Sequence, residues 1–298
     1  MLKRTITGLC ILIVLAGFIA LKLVSSLFFD AFVLIMIYAC LIEMFLAYKV
    51  ADKTFFIVPL VLLPIGLWAI FKFTTMPLVF ILIALLCVFI ISMISELVIN
   101  VKKRKQETDE DIESKPQLLS LTKSTMFVAV YPTLLLAFLF GINNFELSTS
   151  FVGLIMVFSI SIFTDVFAYC FGMMLGQKSP HKLAPEISPK KSVVGSVFGL
   201  IGGIIAGALG WILFYHLNLI DGALTSINLA ESIVLFSVLG VFGSVLTQLG
   251  DLVASAFKRV VGLKDFGNIF PGHGGFMDRV DGQMFSATLV YLLFMVIV

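Results

Sequence analysis

Charge is concentrated between residues 255 and 281 of a chain that is otherwise very apolar. Of its 298 residues, 60% are hydrophobic and only 13% are charged. The charged stretch nevertheless holds four cations, three carboxylates and a histidine: Lys258, Arg259, Lys264, Asp265, His273, Asp278, Arg279 and Asp281. Carboxylates ligate divalent cations, while Lys and Arg bind phosphates. The combination predicts a site that binds and rearranges phosphates with the help of a metal ion.

Helical spacing ties this stretch to the apolar segment before it. A four-residue repeat places small and polar side chains on a single helix face, formed by Gly243, Thr247, Asp251 and Ser255. Lys258 and Arg259 continue near that face at its charged end. Asp251 and Ser255 can present oxygens to one cation, and the two basic residues can face phosphates bound to the same cation. Mg²⁺ suits such sparse ligation, because substrate phosphates complete its shell.

The loop at 260–277 and the residues after it carry a second set of signals. Five glycines let the backbone wrap closely around a phosphate: Gly262, Gly267, Gly272, Gly274 and Gly275. Beyond the loop, Asp278 and Asp281 are three residues apart and share a face if the segment is helical. A shared cation would explain two neighbouring carboxylates at a membrane surface. A salt-bridged loop that closes the helix end is the alternative.

Two upstream segments supply further polar groups. Asp165 lies inside a predicted membrane span with Tyr169 one turn later, and a carboxylate in a span usually faces a partner or a cavity. The loop at 177–192 carries Lys182, Lys190 and Lys191. These lysines either hold triphosphate oxygens or only mark the cytoplasmic side, and the residues leave both interpretations open.

Two other features are interpreted structurally. A ridge of glycines at four-residue spacing predicts close helix packing and is compatible with a homodimer: Gly195, Gly199, Gly203 and Gly207. Glu43 lies near the predicted cytoplasmic end of an early span, where a carboxylate can reach water. The favoured interpretation of Glu43 is therefore an interfacial charge rather than a site residue.

The elements that position these groups are membrane helices. A mean hydropathy of +1.13 excludes a soluble domain of this length, since its surface would be largely apolar. A span needs about 20 mostly apolar residues. Nine segments qualify: 5–25, 28–48, 54–72, 77–100, 124–142, 149–176, 193–216, 232–257 and 283–298. The sequence predicts an all-α, polytopic helical bundle with about nine transmembrane helices.

The distribution of Lys and Arg orients these spans. If the N-terminus and alternate loops share one side, that side holds 18 of the 20 Lys and Arg residues, and the other side holds only Lys22 and Lys72. This asymmetry places the N-terminus and the charged loops in the cytoplasm. The expected organisation is a four-helix half at 1–100, a charged cytoplasmic linker at 101–123, and a five-helix catalytic half at 124–298 with cytoplasmic loops at 177–192 and 258–282.

The charged residues resemble the signature of the phosphatidate cytidylyltransferases, or CDP-diacylglycerol synthases. That signature has Ser and Lys-Arg, then Lys-Asp, then Pro-x-His-Gly-Gly, then Asp-Arg-x-Asp, and residues 255–281 fill every position. The resemblance extends by motif over about residues 160–298, through Asp165, the loop at 181–191 and Gly250-Asp251-Leu252. One departure is Ser192-Val193-Val194-Gly195, where the family usually has Thr-Trp-Glu-Gly.

The resemblance implies a reaction and a set of roles. CTP and phosphatidate would give CDP-diacylglycerol and pyrophosphate, by attack of the lipid phosphate on the α-phosphorus of CTP. The implied ligands of Mg²⁺, with room for a second cation, are Asp251, Ser255, Asp278 and Asp281. Lys258 and Arg259 join these four in the implied catalytic group. The implied substrate-binding residues are Asp165, Lys182, Lys190, Lys191, Lys264, Asp265, His273 and Arg279.

The implied setting is the cell membrane of a bacterium, with the site on the cytoplasmic face, membrane lipid around it and no nucleic acid partner. Two other functions remain open on the residues alone. One is another membrane lipid phosphotransferase or kinase, although the Asp-Gly-x-x-Ala-Arg pattern of the CDP-alcohol phosphotransferases is absent from the sequence. The other is an ion-coupled transporter that uses Asp165 and Asp251 as an ion path.

Overall fold

The computed structural model describes residues 2–48, 57–81, 119–175, 181–222, 224–225, 227–260, 262–270 and 274–297. Its helices are α1 (Leu2–Leu21), α2 (Ser26–Tyr48), α3 (Ile57–Phe73), α4 (Leu119–Asn143), α5 (Leu147–Met174), α6 (Val193–Gly210), α7 (Leu229–Val260) and α8 (Met277–Ile297). A two-stranded antiparallel hairpin, β1 (Lys182–Ala184) and β2 (Ser188–Ser192), lies between α5 and α6. Helix α6 continues into a π-helical turn at Trp211–His216, and residues 77–81 are also helical.

Apolar sequence explains why most of the described chain is helical. Among the described residues, five stretches are long and apolar enough to cross a membrane: Ser26–Ala47, Leu147–Met174, Val193–His216, Leu229–Arg259 and Met277–Ile297. Shorter apolar stretches lie at Thr7–Leu21, Val61–Phe73 and Val130–Asn143. Backbone polar groups in lipid must be satisfied internally, which favours helices. The chain is a helical membrane protein, as its hydropathy predicts, and the predicted span at 77–100 falls outside the described residues beyond 81.

The structure corrects three boundaries of the predicted organisation. The loop expected at 258–282 is shorter, because α7 runs to Val260 and α8 begins at Met277, so Asp278 and Asp281 lie in a helix. The loop expected at 177–192 contains the β-hairpin, which the all-α prediction lacked. Of the linker expected at 101–123, residues 119–123 belong to α4, and the rest lies outside the described residues.

The glycine ridge of α6 is a packing surface, as its spacing predicts. A side chain at Gly203 would meet Ser244 and the backbone of Gly240 in α7, and one at Gly207 would also meet Gly240. Gly195, at the other end of α6, lies against the backbone of α5. The glycines therefore let α6 pack closely on both neighbours. Because the ridge is used within the chain, it gives no support to a homodimer, which stays a prediction.

A single apolar core joins the N-terminal helices to the helices of the charged segments. Helix α4 packs against α2, α3 and α8. Helix α5 packs against α6, α7 and α8, and α7 packs against both α6 and α8. Fully buried side chains come from both halves of the sequence: Phe29, Ile37, Leu41 and Met44 of α2, Leu67 of α3, Leu136 and Leu139 of α4, and Phe294 of α8. The early helices thus form one wall of the bundle that positions the site.

Five polar side chains that interact with one another lie at one end of this bundle, and we call them the far-end network: Lys22, Asp30, Lys72, Asn143 and Ser150. The Nζ of Lys22 donates to the Oδ1 of Asn143 at 2.6 Å and to the hydroxyl of Ser150. The Nδ2 of Asn143 donates to the Oδ1 of Asp30 at 2.7 Å. The Nζ of Lys72 lies 3.6 Å from the Oδ2 of Asp30. The network ties the α1–α2 turn to α3 and to the α4–α5 turn.

The far-end network and the charged motif lie at opposite ends of the helices. Asp30 is near the start of α2, whereas Glu43, 13 residues or about 20 Å along the helix, is near its end. Lys22 and Lys72, the two cations that the charge distribution separates from all others, meet in this network. The charged segments of α7, α8 and the hairpin lie at the Glu43 end.

Candidate active site

The β-hairpin folds back onto the end of α7 and brings a lysine to the predicted acidic face. Lys191 of β2 forms an ion pair with the Oδ2 of Asp251. The hydroxyl of Ser255, one turn further along α7, donates to the Oδ1 of Asp251 at 3.3 Å. Ser192, which follows Lys191, caps α6 by accepting the backbone N–H of Gly195 at 3.0 Å. The cap fixes the end of the strand and therefore the position of Lys191.

A close crossing of α7 and α8 places Asp281 beside Asp251. Gly250 lies against the backbone oxygen of Asp281, and a side chain at Gly250 would clash with it. The Oδ1 of Asp281 accepts the backbone N–H of Gly282 at 2.8 Å, and its second oxygen has no hydrogen-bond donor among the described residues. Asp281 interacts electrostatically with Asp251 and with Asp165. This half-buried carboxylate thus keeps one oxygen available.

Asp165 faces the same region from α5. Its charge interacts with those of Asp251, Lys191 and Arg279, and its side chain is exposed at the protein surface. Tyr169, one turn later, is 58% exposed. An exposed carboxylate inside a membrane span needs a cavity or a polar partner. Its surroundings indicate that three helices and the hairpin border one polar space.

Asp278 has a different environment from its neighbour. Its Oδ1 accepts the Nζ of Lys258 at 2.7 Å, and its Oδ2 accepts the backbone N–H groups of Phe266 at 3.0 Å and Gly275 at 2.9 Å. Both oxygens therefore already have donors within the protein. Asp278 holds the loop between α7 and α8 together, and a metal ion at this carboxylate would have to displace those donors.

Arg259 likewise forms hydrogen bonds to backbone groups, in the hairpin and in the loop after α7. Its Nε donates to the carbonyl of Ile187 at 3.1 Å, at the tip of the hairpin, and its Nη1 donates to the carbonyl of Leu263 at 3.3 Å. Gly262, with a φ of +70°, ends α7 in the left-handed conformation that glycine adopts readily. Arg259 thus links the hairpin to the loop after α7.

The remaining predicted substrate-binding residues belong to segments at this end of the bundle, and their side chains are exposed: Lys182, Lys190, Lys264, Asp265 and Arg279. They come from β1, from β2, from the loop after α7 and from the first turn of α8. His273 lies outside the described residues. The structure therefore gathers basic side chains from three separate segments at one end of the bundle.

Comparison with known proteins identifies the family of this chain. The sequence model of the cytidylyltransferase family matches residues 2–297. The chain belongs to the cytidylyltransferase family. It is similar to a phosphatidate cytidylyltransferase of Aquifex aeolicus, with 36% identity over 177 residues that cover 59% of this chain and 58% of that protein.

Two shorter matches concern other relatives of this chain. A phosphatidate cytidylyltransferase of Brucella abortus is 51% identical over 55 residues, which cover 18% of this chain and 20% of that protein. Phosphatidate cytidylyltransferase 3 of Arabidopsis thaliana is 50% identical over 54 residues, which cover 18% of this chain and 12% of that protein. The matched segments thus span between about an eighth and three fifths of the length of these relatives.

Glu43 is buried against the start of α8, contrary to the interpretation as an interfacial charge that reaches water. Its carboxylate is buried, and it accepts the backbone N–H groups of Phe276 at 2.7 Å and Met277 at 2.8 Å, where α8 begins. The sequence does carry a signal, since Glu43 is a carboxylate inside an apolar span of 22 residues. Such a residue is a functional candidate by default.

The acidic residues fit a sparsely ligated divalent cation. Among the described residues, no three acidic, His or Cys side chains converge closely enough to hold a metal ion by themselves. Asp251 and Asp281 nevertheless supply two neighbouring carboxylates, and Asp281 keeps an oxygen free of donors. Mg²⁺ is commonly bound by one or two carboxylates together with substrate phosphates. The donor set of this chain suits that mode of binding.

Proposed function

We propose that this chain is a CTP:phosphatidate cytidylyltransferase that makes CDP-diacylglycerol and pyrophosphate. The observation that carries the proposal is the ion pair between Lys191 and Asp251, formed beside Asp281. It brings a basic hairpin and two acidic helices to one place. Family membership and the names of the relatives supply the reaction class. The family match also favours this activity over an ion-coupled transporter.

The reaction requires positioning and charge neutralisation more than a base. A phosphate oxygen of phosphatidate attacks the α-phosphorus of CTP, and a new P–O bond forms. The bond from the α-phosphorus to the oxygen that bridges to the β-phosphate breaks, and pyrophosphate leaves with the electron pair. Because the nucleophile is already an anion, no strong base is needed. The main demand on the protein is to hold the phosphate of phosphatidate close to the triphosphate of CTP and to neutralise charge on the leaving pyrophosphate.

The cations divide into two groups by their surroundings. Lys191 is half-buried beside the carboxylates, so we assign it to the triphosphate near the reacting phosphorus. The exposed cations are assigned to the outer phosphates: Lys182, Lys190, Lys264 and Arg279. Lys258 and Arg259 act through the backbone and Asp278 that they hold. Asp265 and His273 stay candidates for contact with substrate.

Asp251 and Asp281 would hold the divalent metal ion, which we take to be Mg²⁺. When bound, the ion neutralises charge on the triphosphate and orients it. Ser255 supports Asp251 through its hydrogen bond. Asp165 borders the same space and suits a second cation. We move Asp278 from the expected ligands to the groups that shape the loop, because one of its oxygens accepts two backbone N–H groups that an ion would have to displace. The partners of Asp251 are the side chains of Lys191 and Ser255, which can turn away when an ion binds.

The topology proposed for the whole chain is nine spans with a cytoplasmic N-terminus, in the plasma membrane of a bacterium. Its support is the separation of Lys22 and Lys72 from the cations around the site. The site then faces the cytoplasm, where CTP is found. Phosphatidate would enter from the membrane beside Asp165, which is exposed on α5. The division at a linker within 101–123 remains part of this proposal.

Turnover by the purified chain tests the proposal. Wild-type protein with CTP, phosphatidate and Mg²⁺ should form CDP-diacylglycerol and release pyrophosphate, and Asp251→Asn should abolish both. The matched control is Asp221→Asn, since Asp221 is exposed in the connection between α6 and α7 and contacts only Asn218 among the described residues. Wild-type protein that forms no CDP-diacylglycerol, or equal activity in both variants, would contradict the proposed site.

A further inference from the structure

Glu43 is joined to the loop that precedes α8 from a distant part of the chain. Its Oε1 accepts the N–H of Phe276 and its Oε2 accepts the N–H of Met277, across 233 and 234 residues. These N–H groups lie at the start of α8, where a helix has no internal acceptors for its first donors. A carboxylate there also interacts favourably with the positive end of the helix dipole.

Two glycines of the loop leave room for the carboxylate of Glu43 because they have no side chain. The backbones of Gly267 and Gly275 lie against the two oxygens of Glu43, and a side chain at either position would clash with them. The sequence alone indicates a phosphate as the anion that this glycine-rich loop surrounds. In the structure, at these two positions, the anion is a side chain of α2.

Asp278 completes the same arrangement from inside the loop. Together, Glu43 and Asp278 accept four backbone N–H groups, those of Phe266, Gly275, Phe276 and Met277. Asp281 follows Asp278 by one helical turn, so whatever fixes the start of α8 also fixes the position of Asp281. The loop carries Lys264 as well, which lies two residues before Phe266.

We infer that Glu43 is a positioning residue of the transfer site, which sets the start of α8 and thereby the metal-binding carboxylate Asp281. The inference rests on the proposed function where it refers to turnover and to metal binding by Asp281. Glu43 does not itself contact the polar space between Lys191 and Asp281. Its effect passes through the backbone of residues 275–277 and the first turn of α8.

Replacing Glu43 by Gln tests this role with little change in shape. A Gln side chain can accept only one of the two N–H groups, and its amide donor would face the other. Amide hydrogen exchange of residues 264–282 in the metal-free protein should become at least tenfold faster, because the loop opens more readily. The Mg²⁺ concentration for half-maximal turnover should rise about tenfold, and a shift in metal response would not follow from a smaller folded fraction.

Glu231→Gln is the matched control. Glu231 also accepts a backbone N–H at the start of a helix, that of Asn228 at 2.8 Å, but at the other end of α7. It should change neither the exchange of 264–282 nor the Mg²⁺ response. Gly267→Ala is a second variant that crowds the carboxylate from the loop side, and it should reproduce both changes if Glu43→Gln does not fold.

The two readouts separate this inference from the proposed activity. If wild-type protein shows no turnover, the proposed function fails, while the exchange measurement still tests Glu43. Exchange in 264–282 that is unchanged by both Glu43→Gln and Gly267→Ala would overturn the inference. So would a loss of activity with an unaltered Mg²⁺ response in whichever of these variants folds.

Discussion

The far-end network and the active site both place carboxylates among apolar helices, but the two regions satisfy them differently. Asp30 of the far-end network accepts hydrogen bonds from Asn143 and from the Nε1 of Trp68 at 3.1 Å, and it lies near Lys72. Asp281 of the site accepts only the N–H of the next residue among its described neighbours. Burial of a charge is costly unless protein or ligand groups compensate it.

The difference separates structural polar groups from functional ones. In the far-end network, side chains of the protein compensate the charge of Asp30 and donate hydrogen bonds to its oxygens, so no ligand is needed. In the site, Asp281 and Asp165 lie near another carboxylate, Asp251, and Asp281 has one hydrogen-bond donor among the described residues. Incompletely compensated carboxylates that face one another suit a site completed by a cation and substrate phosphates.

Exchanging each carboxylate for its amide should produce opposite effects, and these are the largest that we expect. Asp281→Asn should lower kcat by at least about a thousandfold and leave the apparent Tm unchanged or raised, since it removes a half-buried charge with one hydrogen-bond donor among the described residues. Asp30→Asn should lower the apparent Tm and leave kcat per folded molecule within about twofold. Activity assays and thermal unfolding in detergent measure both, and a fall in Tm for Asp281→Asn would break the comparison.

Replacing one lysine at each end of the bundle should also give contrasting results, with an effect on substrate binding at the site and on stability in the far-end network. Lys191→Met should raise the KM for CTP by about ten- to a hundredfold, because a half-buried cation beside the triphosphate is lost. Lys72→Met removes a cation near Asp30 and should lower the apparent Tm without changing that KM. Initial rates at varied CTP concentration give the result, and equal KM values in the two variants would contradict the assignment of Lys191.

Removal of Asn143 should affect stability alone. Asn143→Ala withdraws the amide that connects Lys22 to Asp30, and both charges remain buried. The expected cost is roughly 2–4 kcal/mol in the free energy of unfolding. Ser150→Ala, which removes one acceptor from Lys22, should cost less. A reversed order of thermal stability would show that the hydrogen bonds do not act as described.

The smallest expected effect is a pH dependence from Lys22, which lies in the turn between α1 and α2. Burial lowers the pKa of Lys22 to about 8, and its interaction with Asp30 offsets only part of that shift. The unfolded chain therefore binds more protons than the folded chain between about pH 8 and the usual value of 10.5, so stability should rise with pH in that window.

Comparison with Lys22→Met isolates this contribution from the other lysines. The difference in apparent Tm between wild type and Lys22→Met should shift in favour of the wild type as pH increases from 8 to 10. Below pH 8 the cost of burying the charged lysine is fully present, so the difference should be flat there. A difference that is constant through pH 10 would contradict the lowered pKa.

The sequence predicts the membrane helices and the acidic face of α7 well because both depend on local spacing. Asp251 and Ser255 are one turn apart in any α-helix, and long apolar runs have few alternatives to a membrane helix. The contact of Lys191 with Asp251 spans 60 residues and depends on how the hairpin folds back. Spacing along one helix cannot predict that contact. The resemblance identifies the two residues but does not show that they form an ion pair.

The different roles of Asp278 and Asp281 could not be predicted from sequence for the same reason. Both are aspartates at the start of α8, but only Asp278 is within reach of Lys258 and of the loop backbone. Glu43 was misinterpreted because its two donors lie more than 230 residues away. In each case the deciding contact is made by backbone N–H groups, which every non-proline residue carries and no sequence pattern reports.

The position of a radioactive phosphate after reaction tests the central claim most directly. CTP labelled at the α-phosphorus, incubated with the wild-type chain, phosphatidate and Mg²⁺, should transfer its label to CDP-diacylglycerol, whereas label at the γ-phosphorus should appear in pyrophosphate. Asp281→Asn should transfer neither label. Label from the γ-phosphorus in the lipid would show a kinase instead, and transfer that survives in Asp281→Asn would contradict the site proposed for this chain.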